Sequence, residues 1–158
     1  MSAEITLATV EMEYQEAVEC GRGRPWHFSP IDKERQLFTV ELISPVDQEH
    51  YWFEFGFDDY PKKPYLIELF YPPLGQRGTQ VCYPRGHDSF FHPNLFICHQ
   101  SSRRAYPELS GPHGDWILAD WRKGAGGMDR LVGILESIHF RISNKEYYHG
   151  RMAKAPGT

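Results

Sequence analysis

Apolar positions near the start of the chain fall at Leu7, Val10, Tyr14, Ala17 and Val18, with Glu4, Glu11 and Glu13 between them. That three-four-three spacing predicts an amphipathic helix from Ala3 to Cys20. Val10, Met12 and Tyr14 also alternate, so a strand is the competing reading. Gly21, Gly23 and Pro25 end the element in either case. The period then changes to two. A weak strand is expected over Trp26 to Ser29, and a stronger one over Gln36 to Ser44 with Phe38, Val40 and Leu42 on one face. From His50 to Phe57, the residues Tyr51, Phe53, Phe55 and Phe57 alternate with Trp52, Glu54 and Gly56. Tyr65 to Tyr71 repeats the pattern with Ile67 and Leu69. Short polar connections between these runs predict an antiparallel meander of four strands.

Pro72 to Asn94 is rich in turn residues and has no clear period. The short apolar run Leu95-Phe96-Ile97-Cys98 follows, then a second loop region, His99 to Gly127, containing Trp116 and Trp121. Met128, Leu131, Leu135, Ile138 and Ile142 return to three-four spacing and predict a closing helix, with Asp129 in its first turn. Residues from Tyr147 onward are polar and expected to be mobile. The chain therefore divides into one domain, residues 1–146, and a polar tail, residues 147–158. The order helix, meander, loops, helix predicts an α+β fold with helices on one face of an antiparallel sheet.

Composition narrows the function classes. The 158 residues carry 17 basic and 21 acidic side chains, a net charge of −4, which argues against a general nucleic-acid or membrane-surface binder. No run approaches the roughly 18 apolar residues of a membrane span. Three cysteines without a framework spacing suit a reducing, cytoplasmic setting better than secretion. The first 21 residues hold five acids and no base, unlike a signal or transit peptide. Thirteen of the 23 aromatics and six of the 12 prolines lie between Tyr51 and Phe96, which places core strands and rigid turns there.

Cys98 is the thiol best placed for chemistry. It ends an apolar run and opens a polar loop, where a side chain is held yet reachable, and His92, His99 and His113 are candidates to act on it. A buried structural cysteine is the plainer alternative; that alternative is stronger still for Cys20, at a helix end, and Cys82, in a turn. Cys82, His87, His92 and Cys98 have zinc-type side chains but lack the close cysteine pair of structural sites. A Cys98–His113 hydrolase with Asp115 as orienter is also compatible with the residues. Gly124-Ala125-Gly126-Gly127 matches no phosphate-loop pattern and reads as a flexible loop. Arg103-Arg104 and Arg122-Lys123 read as solvated faces.

In order along the chain, these segments resemble the ubiquitin-conjugating enzymes from about Trp26 to Ile142, with the first helix fitting by position. Tyr60-Pro61-Lys62-Lys63-Pro64 after the strand ending at Phe57 is similar to the family's Tyr-Pro-x-x-Pro signature. Phe91-His92-Pro93-Asn94 resembles its His-Pro-Asn motif, and Ile97-Cys98 its aliphatic–cysteine pair. Trp116 or Trp121 before the last helix resembles the family's tryptophan. The resemblance implies a UBC-like fold with an N-terminal helix, a four-stranded meander, a catalytic loop and a C-terminal helix. It implies acyl transfer: Cys98 takes a C-terminal glycine carboxyl group as a thioester and passes it to an amine. His92 and Asn94 carry over as motif members, with His113 as a base for the amine. No cofactor and no metal are implied.

The chain departs from the family in three places. Asn94 is only four residues before Cys98, about 13 Å if extended, so the backbone must bend for it to reach the thiol. His87 competes for the histidine position, and His99-Gln100 follows the cysteine where the family has Leu-Asp. The first helix is acidic where the family's is basic, which opposes docking to a usual activating enzyme. Such a compact, divergent member is similar to the stand-alone conjugating-like proteins of bacterial CBASS antiviral operons, whose partner is a nucleotidyltransferase ending in glycine. The expected partner is therefore a protein with a C-terminal glycine, not a nucleic acid or a membrane. A catalytically inactive UBC-like or RWD-like binding module is the alternative from a different class.

Overall fold

A computed structural model describes residues 3–154. Helix α1 spans Ala3–Cys20. It leads into a five-stranded antiparallel sheet in sequential order, formed by β1 (Trp26–Phe28), β2 (Leu37–Ile43), β3 (His50–Gly56), β4 (Leu66–Tyr71) and β5 (Gln76–Arg77). The first four strands are the expected meander, and the two-residue β5 adds an edge that has no period to betray it. Two small ladders follow: β6 (Pro84–Gly86) pairs with β9 (Tyr148–Arg151), and β7 (Phe91–His92) pairs with β8 (Phe96–Ile97). A short helix, α2 (Trp121–Ala125), precedes the closing helix α3 (Leu131–Ser143). The fold is thus α+β, with a helix at each end of the sheet-forming segment.

Register follows from the period-two pattern, because a one-residue slip would expose every inward side chain. Phe38, Phe55 and Ile67 form one cross-strand row, Val40, Phe53 and Leu69 the next. All six are fully buried. Tyr14 of α1 meets this face edge-on at Phe38, with ring centroids 5.4 Å apart. The opposite rows, Thr39–Glu54–Glu68 and Glu41–Trp52–Phe70, are only partly covered.

Several expectations are corrected. Glu13, placed on the polar face of α1 by its spacing, is fully buried. Its carboxylate accepts hydrogen bonds from Tyr60 Oη at 2.6 and 2.7 Å, from Tyr65 Oη at 3.2 Å and from the Leu131 N–H at 2.9 Å. The last bond caps α3, which has no side-chain cap of its own. Asp129 lies before that helix instead of in its first turn, and pairs with Arg122 at 3.2 Å. Arg103 is buried where a solvated face was expected. Its guanidinium donates to Pro64 O and pairs with Asp58, both at 3.0 Å, clasping the turn that leads into β4. Residues beyond 146 are not all tail: β9 pairs with β6, Tyr148 is buried, and Arg151 donates to Val81 O at 2.7 Å. Residues 155–158 lie outside the described part. No described helix is long and apolar enough to cross a membrane.

The Glu13 joint predicts a large, specific loss of stability. Glu13→Ala leaves three buried donors without their acceptor and should cost about 3 kcal/mol in urea unfolding. Glu13→Gln keeps one acceptor oxygen but turns an N–H₂ toward the phenols, and should cost roughly half as much. Equal, negligible losses would show that the carboxylate does not hold the joint.

Candidate active site

Cys98 follows β8 directly and continues the β7–β8 hairpin by one residue, its N–H donating to Phe90 O at 2.8 Å. The hairpin turns at Pro93 and Asn94, with Leu95 in the left-handed region at φ 67° and its N–H bonded to His92 O. This geometry separates two motif residues from the thiol in different ways. Asn94 sits exposed at the tip, at the far end of the ladder from Cys98, and its backbone N–H donates to His92 Nδ1 at 3.0 Å. Its side-chain amide has no hydrogen-bond partner among the described residues. His92 lies opposite Phe96 and stacks on it, centroids 4.4 Å apart. Because its Nδ1 accepts, a neutral His92 carries its proton on Nε2. Burial, helped by the nearby His113, holds its pKa below the ordinary histidine value.

The loop after Cys98 returns to it. The 3-10 turns Arg103–Ala105 and Pro107–Leu109 lead to Gly111, where a Cβ would stand 2.2 Å from the Ala105 carbonyl; only glycine allows the strand of chain to pass so close. Two residues later His113 reaches the thiol, with Nε2 2.8 Å from Cys98 Sγ. The imidazole lies flat on the Trp116 indole, centroids 3.7 Å apart and planes within 7°. A turn with the Trp116 N–H donating to His113 O sets the two rings on one side. Asp115, the expected orienter, is exposed, and no described carboxylate is hydrogen-bonded to His113. Beyond Trp116 opens a cavity of about 420 Å³, lined among others by Gln100, Tyr106, Trp121, Asp120 and Lys123.

The remaining histidines turn elsewhere. His99 is largely buried, accepts the Ser101 N–H on Nδ1 and has its pKa pushed down to about 4, by burial first and by Arg141 second. It is neutral at pH 7 and holds its own loop. His87 packs against Tyr147 and His149 beside β9. Cys82 is buried with its thiol toward Gln76 O, and Cys20 is exposed at the end of α1. Among the described residues no group of three or more His, Cys, Asp or Glu side chains is arranged to hold a metal ion. Trp121 is buried and donates to Pro61 O at 3.0 Å, so this tryptophan, and not Trp116, braces the Tyr60–Pro64 turn.

Electrostatics around Cys98 favour the neutral thiol. Burial pushes its pKa above the ordinary value, and Asp88 adds to the rise. Asp88 is itself held by Arg141 at 3.1 Å and accepts the Phe90 N–H. A neutral thiol beside a histidine needs that histidine as proton acceptor when it attacks, which is the arrangement of general-base-assisted nucleophilic catalysis. Comparison of the chain with protein-family models, with curated proteins and with solved structures gives no match.

Thiolate absorbance near 240 nm, read as the difference between the protein and Cys98→Ala, should be absent at pH 7. It should rise with a midpoint above the ~8.5 of a free cysteine. Asp88→Asn removes a negative charge that disfavours the thiolate, so its midpoint should move down. A thiolate signal already present at pH 7 would mean a preformed ion pair and overturn the neutral-thiol assignment.

Proposed function

We propose that this protein is a cysteine-dependent acyltransferase of the ubiquitin-conjugating type, with Cys98 as nucleophile and His113 as its base. The observation that supports it best is the 2.8 Å approach of His113 Nε2 to a half-buried Cys98 at the open end of the hairpin. In the reaction Cys98 Sγ attacks the activated carbonyl of a C-terminal glycine and its proton passes to His113 Nε2. The activating group then leaves, and the acyl group stays on sulfur as a thioester. An amine next attacks that carbonyl, the C–S bond breaks, and the thiolate recovers a proton through the same histidine. A thioester keeps the acyl group reactive toward amines, which is what a cysteine offers over serine here. A glycine-ended nucleotidyltransferase is the donor that the CBASS resemblance points to.

The partner reading draws on the charge of α1, with one adjustment. Of its five acids Glu13 is buried, Glu16 pairs with Arg130 and Glu19 with Arg22, which leaves Glu4 and Glu11 as exposed acids for a partner to meet. The expected partner surface opposite α1 is accordingly basic.

A synthetic peptide ending in a glycine thioester of mercaptoethanesulfonate tests the chemistry without any activating enzyme. Intact mass under non-reducing conditions should show one peptide adduct, removed by dithiothreitol and absent from Cys98→Ala. Cys98→Ser should give a thiol-resistant ester, and His113→Gln should slow capture by about 100-fold. Added butylamine should release the peptide as an amide. An adduct that persists in Cys98→Ala sinks the assignment of the nucleophile. Rapid release of free peptide acid without amine would make the protein a hydrolase, and no adduct at all would favour the binding module.

A further inference from the structure

His113 lacks the partner that usually fixes a catalytic imidazole. In Cys–His and Ser–His sites a carboxylate or amide bonded to the second ring nitrogen sets the ring plane. Among the described residues none fills that role: Asp115 is exposed and makes no hydrogen bond to His113, whose one side-chain hydrogen bond is to Cys98. A histidine in a long loop, held by a single bond to a thiol, would otherwise be free to turn about its side-chain torsions. What limits it is contact with the indole of Trp116, parallel to within 7° at 3.7 Å.

We infer that Trp116 is the positioning residue of the site: its indole face, in place of a carboxylate, holds the His113 imidazole with Nε2 on Cys98. This rests on the reading of Cys98 and His113 as the reacting pair.

The indole is itself held. The Trp116 backbone N–H donates to His113 O, so the two residues are locked in one turn. Its ring meets Tyr106 at 5.6 Å, inclined by 58°. Tyr106 is 1% exposed, and its hydroxyl donates to Gln100 O at 2.7 Å, two residues past the nucleophile. Burial, reinforced by Glu108, pushes the Tyr106 pKa up to about 12, so the hydroxyl stays a donor throughout the working range. The chain of contacts thus closes on itself: Cys98 to His113, His113 to Trp116, Trp116 to Tyr106, Tyr106 to Gln100. Tilting the His113 ring about its side-chain torsions would break the parallel contact as it took Nε2 off sulfur. Nothing is transferred to or from Trp116, so it acts only through His113.

Alkylation of Cys98 by iodoacetamide, followed by intact mass, reads this pair without an acyl donor. Cys20 and Cys82 are replaced by serine and alanine to leave one thiol. At pH 7 the reaction depends on His113 as proton acceptor, whereas above the raised pKa of Cys98 the sulfur ionises to water and needs no base. Trp116→Leu should slow alkylation at pH 7 by about tenfold and leave the high-pH rate unchanged. Trp116→Phe, which restores a ring to stack on, should recover most of the loss. In a His113→Gln background Trp116→Leu should add nothing, because both changes remove the same contribution. Three results overturn the proposal: no loss in Trp116→Leu, an equal loss in both backgrounds, or a loss that persists at high pH. The two readings fail separately. If alkylation follows the expected pattern while the glycine thioester is never captured, the transferase reading falls and the positioning role stands. Capture that is normal in Trp116→Leu leaves the transferase reading and removes the role.

Discussion

A single buried carboxylate holds the frame. Burying a charged group is costly unless every lone pair finds a donor, and Glu13 finds two phenols and a helix N-terminus. The same three contacts fix three separate parts of the chain: α1, the turn carrying Tyr60 and Tyr65, and the first residue of α3. The phenols respond in kind. Burial first, and then the neighbouring negative charge, drive the pKa values of Tyr60 and Tyr65 far above the ordinary tyrosine value, so both remain hydroxyl donors. Tyr60 and Tyr65 also stack at 4.0 Å, and Trp121 leans on Tyr60 while bonding Pro61. The joint is therefore both polar and aromatic, and the helices at the two ends of the chain meet across it.

The site hangs from that joint. Arg103 donates to Pro64 O, its backbone N–H to Tyr65 O, and Ser102 bridges to Tyr65, so the segment just after Cys98 is tied to the turn that Glu13 anchors. From there the chain runs through buried Ala105 and Tyr106 to Gly111 and back to His113. On the other side the hairpin bearing Cys98 is tied to α3 by Asp88 and Arg141, with the guanidinium over Phe90 at 4.0 Å. Cys98 and His113 are thus delivered by two separately anchored pieces of loop. Rigid support on both sides is what allows long irregular segments, normally mobile, to hold a 2.8 Å contact.

The frame was legible in the sequence because it is periodic. The meander and both long helices follow from spacing alone, to within a few residues at each end. What escaped was set by single contacts with no period. Glu13 occupies a helix position where a glutamate normally faces water, and only Tyr60 and Tyr65, more than forty residues on, make it a core residue. Arg103 likewise reads as surface until Pro64 and Asp58 are seen beside it. β9 looked like tail because Tyr148-His149-Gly150-Arg151 has no apolar alternation, yet Tyr148 bonds Tyr51 and Asp47 and is buried by them. At the site Cys98 and His113 were visible as residue types. Their contact was not, since they lie fifteen positions apart along an irregular loop. The signal for Trp116 was present but weak: histidine and tryptophan three apart across a Gly-Asp turn.

For the acyl transfer proposed above, the state of the thiol bears on what the enzyme would spare. A preformed thiolate reacts with oxidants and stray electrophiles at all times. Under that reading, a thiol kept neutral by burial and by Asp88 would stay quiet until an activated carbonyl docked, and proton transfer to His113 would then release its nucleophilicity. Stacking on Trp116 would hold the imidazole in its direction toward the thiol. An amine attacks a thioester readily on its own, whereas water needs a base to draw off its proton. In the transferase reading this would leave the amine, which needs the least help from a base, as the favoured acceptor of the thioester.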